Sequence, residues 1–124
     1  MTGYSVKIKE SSMELTAKQR IAIKDTTSCI KLDEATQVED IIIDPMAWAI
    51  LEVHNEKSDN VDYENYIIID QSGQKYVTGS QSFWTSFMDI YEEMEDEEED
   101  WCIRVYRVDS KNYKGKQFLT CSIQ

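Results

Sequence analysis

Between residues 48 and 123 the hydrophobic period of the sequence changes twice, and nothing else in it constrains the fold as strongly. Ala49, Leu51 and Val53 alternate with Ile50, Glu52 and His54, the two-residue period of a half-buried strand. A polar stretch over 55–65 leads to an apolar run at 66–69, a turn at Asp70, Gln71, Ser72 and Gly73, and a β-rich run over 74–78. That succession predicts a hairpin. After Gly79 and Ser80 the period lengthens. Phe83, Phe87, Ile90 and Met94 recur at steps of four, three and four, flanked by Trp84, Met88 and Tyr91, which predicts a helix capped by Ser82. Acids opposing the negative end of the helix dipole should end it near Glu95. The period returns to two over 101–108 and 116–123, on either side of a polar loop, and predicts a second hairpin.

Strand, strand, strand, helix, strand, strand is the order of the five-stranded Greek-key barrel that binds oligonucleotides and oligosaccharides, the OB fold. The expected class is therefore mainly β with one or two helices, a plain mixed α+β sheet being the alternative. With 124 residues, one proline and four glycines, and no Ser/Gly-rich linker, the chain is expected to be a single domain. Residues 48–124 would form the barrel and residues 1–47 an N-terminal extension of less defined structure. In that extension Thr16 is expected to cap a short helix from Ala17 to about Asp25. Residues 38–43 should form a strand halted at Asp44 and Pro45.

A composition of 41% hydrophobic and 30% charged residues is that of a folded chain rather than a disordered tail, despite a mean hydropathy of −0.53. No stretch approaches the ~20 apolar residues of a membrane-spanning helix. The first ten residues carry Lys7 and Lys9 and no apolar leader core, so a cytoplasmic protein is expected. Cys29, Cys102 and Cys121 are an odd number without a C-x-x-C pair and read as reduced packing residues.

The net charge of −11 disfavours nucleic acid only as an average. Nine acids and no base lie between Asp89 and Asp100, so the other 112 residues carry 13 bases against 15 acids. From Trp101 onward five bases face one acid, Asp109. Charge is segregated along the chain.

The last hairpin holds the most informative chemistry. By pleat parity Leu119, Cys121 and Ile123 share one face, leaving Lys116, Phe118, Thr120 and Ser122 on the other. In the partner strand Ile103 and Val105 suit the core, and Arg104 and Tyr106 point away from it. Arg107 follows, and the loop adds Lys111, Tyr113 and Lys114. Interleaved cations and flat rings are what single-stranded nucleic acid requires, the cations for phosphates and the rings for stacked bases. Tyr76, two strands away, either joins this surface or belongs to the core. The competing reading is structural: such side chains also simply cover an exposed sheet.

The acidic residues Glu95, Asp96, Glu97, Glu98, Glu99 and Asp100 read in three ways: a solvated helix end, a mobile polyanion competing with DNA for the basic hairpin, or a docking patch for a basic partner. No EF-hand spacing, P-loop, G-x-G-x-x-G or G-x-S-x-G is present, and the single histidine, His54, has no nucleophile motif near it. No catalytic residue, metal or cofactor is expected.

The block Asp70-Gln71-Ser72-Gly73-Gln74-Lys75-Tyr76, the helix from Phe83 to Met94, and the ending Ser110-Lys111-Asn112-Tyr113-Lys114-Gly115-Lys116-Gln117-Phe118-Leu119-Thr120-Cys121-Ser122 resemble the small single-stranded-DNA-binding proteins of tailed phages and prophages of Gram-positive bacteria. In that family, which has the OB fold, a lysine- and glycine-bearing turn leads into a last strand with an aromatic near its start. Here Lys114-Gly115-Lys116 leads to Phe118. The similarity covers about residues 48–124. It implies sequence-tolerant coating of single strands in phage replication or recombination inside the bacterial cell, and leaves open whether replication or recombination proteins or a second copy of the chain are partners. Unlike many such proteins, this chain holds its acids internally rather than in a C-terminal tail. The alternative from a different class is an acidic inhibitor that imitates DNA.

Overall fold

The computed structural model describes residues 3–57, 59–111 and 115–124. Their elements in chain order are β1 (Tyr4–Ser11), α1 (Ala17–Lys24), β2 (Ile30–Lys31), α2 (Leu32–Ala35), β3 (Ile41–Ile43), β4 (Pro45–Asn55), β5 (Asp62–Asp70), β6 (Lys75–Thr78), α3 (Gln81–Met94), β7 (Ile103–Asp109) and β8 (Gln117–Ile123). The protein is thus mainly β with three helices. It divides into two compact units: residues 1–30 with 46–79, and residues 31–45 with 80–124.

In the first unit the alternation at residues 49–53 becomes the inner face of β4. Ala49, Leu51 and Val53 are buried together with Ile23 of α1, Ile67 of β5 and Val77 of β6. The sheet order is β1-β4-β5-β6-β2, and β1 pairs antiparallel with β4 through a bulge between Ile8 and Glu10. Thr16 caps α1 as expected, with a full capping box. Its Oγ1 accepts from the Gln19 N–H at 3.2 Å, and Gln19 Oε1 accepts from the Thr16 N–H at 2.8 Å. Lys75 Nζ donates to the carbonyls of Ala22 and Asp25 at 2.5 and 3.3 Å, placing a cation at the negative end of that helix.

The β5–β6 hairpin turns as predicted, at residues 70–74. Gly73, at φ 92°, takes the left-handed conformation that side chains resist. Asp70 Oδ1 accepts from the Ser72 N–H, the Ser72 hydroxyl and the Gln74 N–H at 2.7–2.9 Å, and Oδ2 accepts from the Tyr76 hydroxyl at 3.2 Å. Burial alone pushes the Asp70 carboxyl up, but these donors outweigh it and hold it below the ordinary carboxylate value.

In the second unit the order is β3-β7-β8, with α3 packed along β8. The predicted stripe lies inward: Phe83 and Phe87 are fully buried, and Ile90 and Met94 half-buried. The Phe87 ring lies 6.1 Å from Phe83, 5.1 Å from Trp84 and 5.8 Å from Tyr91, so Trp84 belongs to the core. The helix ends within the acidic stretch, with Glu95 as C-cap. Its N-cap is Ser80, not Ser82: Ser80 Oγ accepts from the Phe83 N–H at 3.2 Å, while the Ser82 hydroxyl donates to the Leu119 carbonyl at 3.0 Å.

Two expectations about architecture are corrected. The five strands and helix occur in the expected order, but β4, β5 and β6 lie in one sheet and β7 and β8 in another. Both sheets are open, so no single five-stranded barrel closes. The reason is edge occupancy: β1 and β5 take the two edges of β4, and β3 and β8 take the two edges of β7. Residues 1–47 are therefore not an appendage to a separate barrel. They supply β1 and α1 to one unit and α2 and β3 to the other, the boundary along the chain falling within β2. Cys29, Cys102 and Cys121 are free thiols, and burial pushes Cys121 up to about 12, as suits a packing residue. Among the described residues no helix is long and apolar enough to cross a membrane.

Candidate nucleic-acid interface

Register decides which side chains meet on the β3-β7-β8 sheet. Arg104 stands opposite Ser122, Tyr106 opposite Thr120 and Val108 opposite Phe118, and on the other edge Ile42 stands opposite Arg104. All seven side chains therefore share one face, while Ile43, Ile103, Val105, Leu119 and Cys121 are buried on the other. On the shared face Ile42 is 53% and Phe118 41% exposed, and Arg104, Tyr106, Val108, Thr120 and Ser122 are half-buried.

On this face the Arg104 guanidinium lies 4.2 Å from the centroid of the Tyr106 ring, a cation–π stack. The Arg104 Nη1 also donates to Asp40 Oδ2 at 2.8 Å. The Tyr106 hydroxyl and Ser122 Oγ are hydrogen-bonded at 2.7 Å, which fixes the ring, and Thr120 Oγ1 lies 3.3 Å from Ser86 Oγ of α3. Phe118, across from Val108, presents an exposed ring on the same side. At the open end of the hairpin the Ser110 N–H donates to the Lys116 carbonyl at 2.9 Å, Gly115 turns the chain at φ 78°, and Lys111 and Lys116 are exposed.

The expected site residues thus separate into groups. Arg104, Tyr106 and Phe118 come together on one face, with Lys111 and Lys116 exposed in the loop beside it. Arg107 shares its parity with Ile103 and Val105 and points to the opposite face. There its Nε donates to Thr36 Oγ1 at 3.1 Å and its Nη2 to the Asp33 carbonyl. Tyr76 lies in the other unit, is 7% exposed and donates to Asp70, so it belongs to a core and not to this surface. Tyr113 and Lys114 lie outside the described residues. Glu95, Asp96, Glu97, Glu98, Glu99 and Asp100 are all exposed, and among the described residues none of them forms an ion pair.

Asp40 and Ile42 belong to the face and were not legible from the hairpin, because their neighbour Arg104 is 64 and 62 positions away. A concavity of about 480 Å³ lies on the first unit's sheet, lined by Lys7, Glu52, His54, Asp62 and Glu64 among others. There His54 Nδ1 is 2.7 Å from Asp62 Oδ1 and Nε2 is 3.4 Å from Glu56 Oε2. These bonds raise the imidazole pKa above its ordinary value. Among the described residues no three His, Cys, Asp or Glu side chains are grouped to hold a metal ion. No protein-family model matches the sequence, and no curated protein or solved structure matches it.

Proposed function

We propose that the protein binds single-stranded DNA without sequence preference on the outward face of β3, β7 and β8. The observation that carries this reading is the Arg104 guanidinium stacked on Tyr106 with the exposed Phe118 ring on the same face. Every base has a flat face, so rings of this kind accept any sequence, each stacked base contributing about 1–3 kcal/mol. Arg104, Lys111 and Lys116 serve the phosphates. The succession β4-β5-β6-α3-β7-β8 supports a relation to the OB fold, one sheet here being extended by β1 and β2 and the other by β3 from the N-terminal part. The resemblance of residues 70–76 and 110–122 to phage single-stranded-DNA-binding proteins supports a role in phage replication or recombination in the bacterial cytoplasm.

The test is titration with oligo-dT at low salt, read by gel mobility and tryptophan fluorescence. Binding at micromolar protein is expected, weakening steeply with salt at about −0.7 in log–log slope for each phosphate neutralised. No binding at micromolar protein removes the proposal.

A second reading is favoured by the exposed carboxylates at 95–100, in no ion pair among the described residues: a DNA-imitating surface that occupies the basic groove of another protein. It predicts that Glu97→Gln, Glu98→Gln and Glu99→Gln together abolish a protein complex. The DNA-binding reading predicts that the same triple change leaves oligonucleotide affinity unchanged or tighter.

A further inference from the structure

Asp40 lies just before β3, and the pairing of Ile42 with Arg104 brings it beside that residue. Its carboxylate accepts from the Arg104 Nη1 at 2.8 Å, while the guanidinium carbon lies over the Tyr106 ring. A carboxylate at a guanidinium edge occupies the position that a phosphate oxygen takes when arginine binds a nucleic-acid backbone. The pair is also accessible, the Arg104 and Asp40 side chains being 40% and 49% exposed, so water screens it and a phosphate can reach the same edge. The adjacent Glu39 is exposed and, among the described residues, in no ion pair.

We propose that Asp40 holds the place of a backbone phosphate on Arg104 and is displaced by that phosphate when single-stranded DNA binds. This rests on the DNA-binding reading above and adds a residue that sets its affinity. In the free protein Asp40 keeps the guanidinium composed over Tyr106. In the complex Arg104 turns its edge to the phosphate, and the released carboxylate faces the strand and opposes it. Asp40 acts through Arg104 and is a positioning residue.

The experiment compares oligo-dT affinity at low salt for the wild type, Asp40→Asn and Glu39→Gln, each of the last two also in an Arg104→Ala background. Arg104 side-chain NMR resonances are followed with and without oligonucleotide. Asp40→Asn removes the competing charge and is expected to tighten binding by about two- to five-fold, the range of an exposed ion pair. Glu39→Gln changes net charge equally and is expected to do clearly less. With Arg104→Ala the advantage of Asp40→Asn should vanish. Without DNA, Asp40→Asn should shift the Arg104 Nε–H resonance, and DNA should shift the wild-type resonance as well. If Asp40→Asn and Glu39→Gln act alike, or the advantage persists without Arg104, the placeholder role is overturned while DNA binding stands. If no variant binds oligo-dT although Asp40→Asn moves the Arg104 resonance, the DNA-binding reading falls and the phosphate role falls with it.

Discussion

Arg107 Nε donates to Thr36 Oγ1 at 3.1 Å, joining β7 to the end of α2 across 71 positions of sequence. Thr36 is itself buried, and its hydroxyl donates to the Leu32 carbonyl at 2.7 Å. A cation that the sequence grouped with phosphate contacts is thereby committed to holding α2 on the sheet. Arg107→Ala should lower unfolding free energy by about 1–3 kcal/mol, because it strips donors from a buried hydroxyl and a carbonyl. Oligonucleotide affinity, measured on folded protein, should be nearly unchanged. Chemical denaturation and titration of the same sample separate the two effects.

Phe118→Ala should show the opposite pattern. Its side chain is 41% exposed, so truncating it should cost clearly less stability than truncating the fully buried Phe87. Oligo-dT affinity should fall by about 1–3 kcal/mol, the value of one stacked base. Unchanged affinity would remove Phe118 from the platform.

Phe87 is fully buried at the centre of the ring cluster formed by Phe83, Trp84 and Tyr91. Phe87→Ala should cost about 3–5 kcal/mol in denaturant unfolding. Leu119→Ala, buried on the facing strand, should cost about 2–5 kcal/mol.

The two serines at the start of α3 should separate in a helix-sensitive measurement. Ser80→Ala removes the cap on the Phe83 N–H and should cost about 1 kcal/mol, and Ser80→Asp should restore it. Ser82→Asp keeps no donor for the Leu119 carbonyl and should fail to rescue Ser82→Ala.

His54 predicts a pH dependence of stability. Its hydrogen bonds to Asp62 and Glu56 raise its folded pKa above the ordinary 6.5. The folded state thus binds the proton more tightly than the unfolded chain. The stabilisation is complete below pH 6.5 and is lost as pH rises through the raised folded value. The melting temperature of the wild type should therefore fall more between about pH 6 and pH 8 than that of His54→Gln.

What the sequence disclosed was local. The alternation at Ala49, Leu51 and Val53, the inward stripe of Phe83 and Phe87, the Thr16 cap and the Gly73 turn all depend on residues within about one turn or one strand of each other. Parity along β7 also placed Arg107 with Ile103 and Val105, a signal outweighed by its charge. Pairings between distant segments were not legible. That β1 and β3 take the free edges of β4 and β7 depends on partners tens of residues away, and that pairing forbids the expected barrel. Ser80 and Ser82 both precede the helical stripe, and only backbone geometry selects the cap. Tyr76 sits in the short strand Lys75-Tyr76-Val77-Thr78, where polar and apolar residues do not alternate cleanly, so periodicity could not say whether its ring was covered.

The chain passes from one compact unit to the other at residues 30–31, 45–46 and 79–80, so neither unit is a continuous piece of polypeptide. Shortening the gene from its 5′ side to leave only residues 48–124 would strip both outer strands, β1 and β2, from the five-stranded sheet and β3 from the other, exposing the flanks of β4, β6 and β7 to intermolecular pairing. Neither unit can thus be carried into another polypeptide as one uninterrupted stretch.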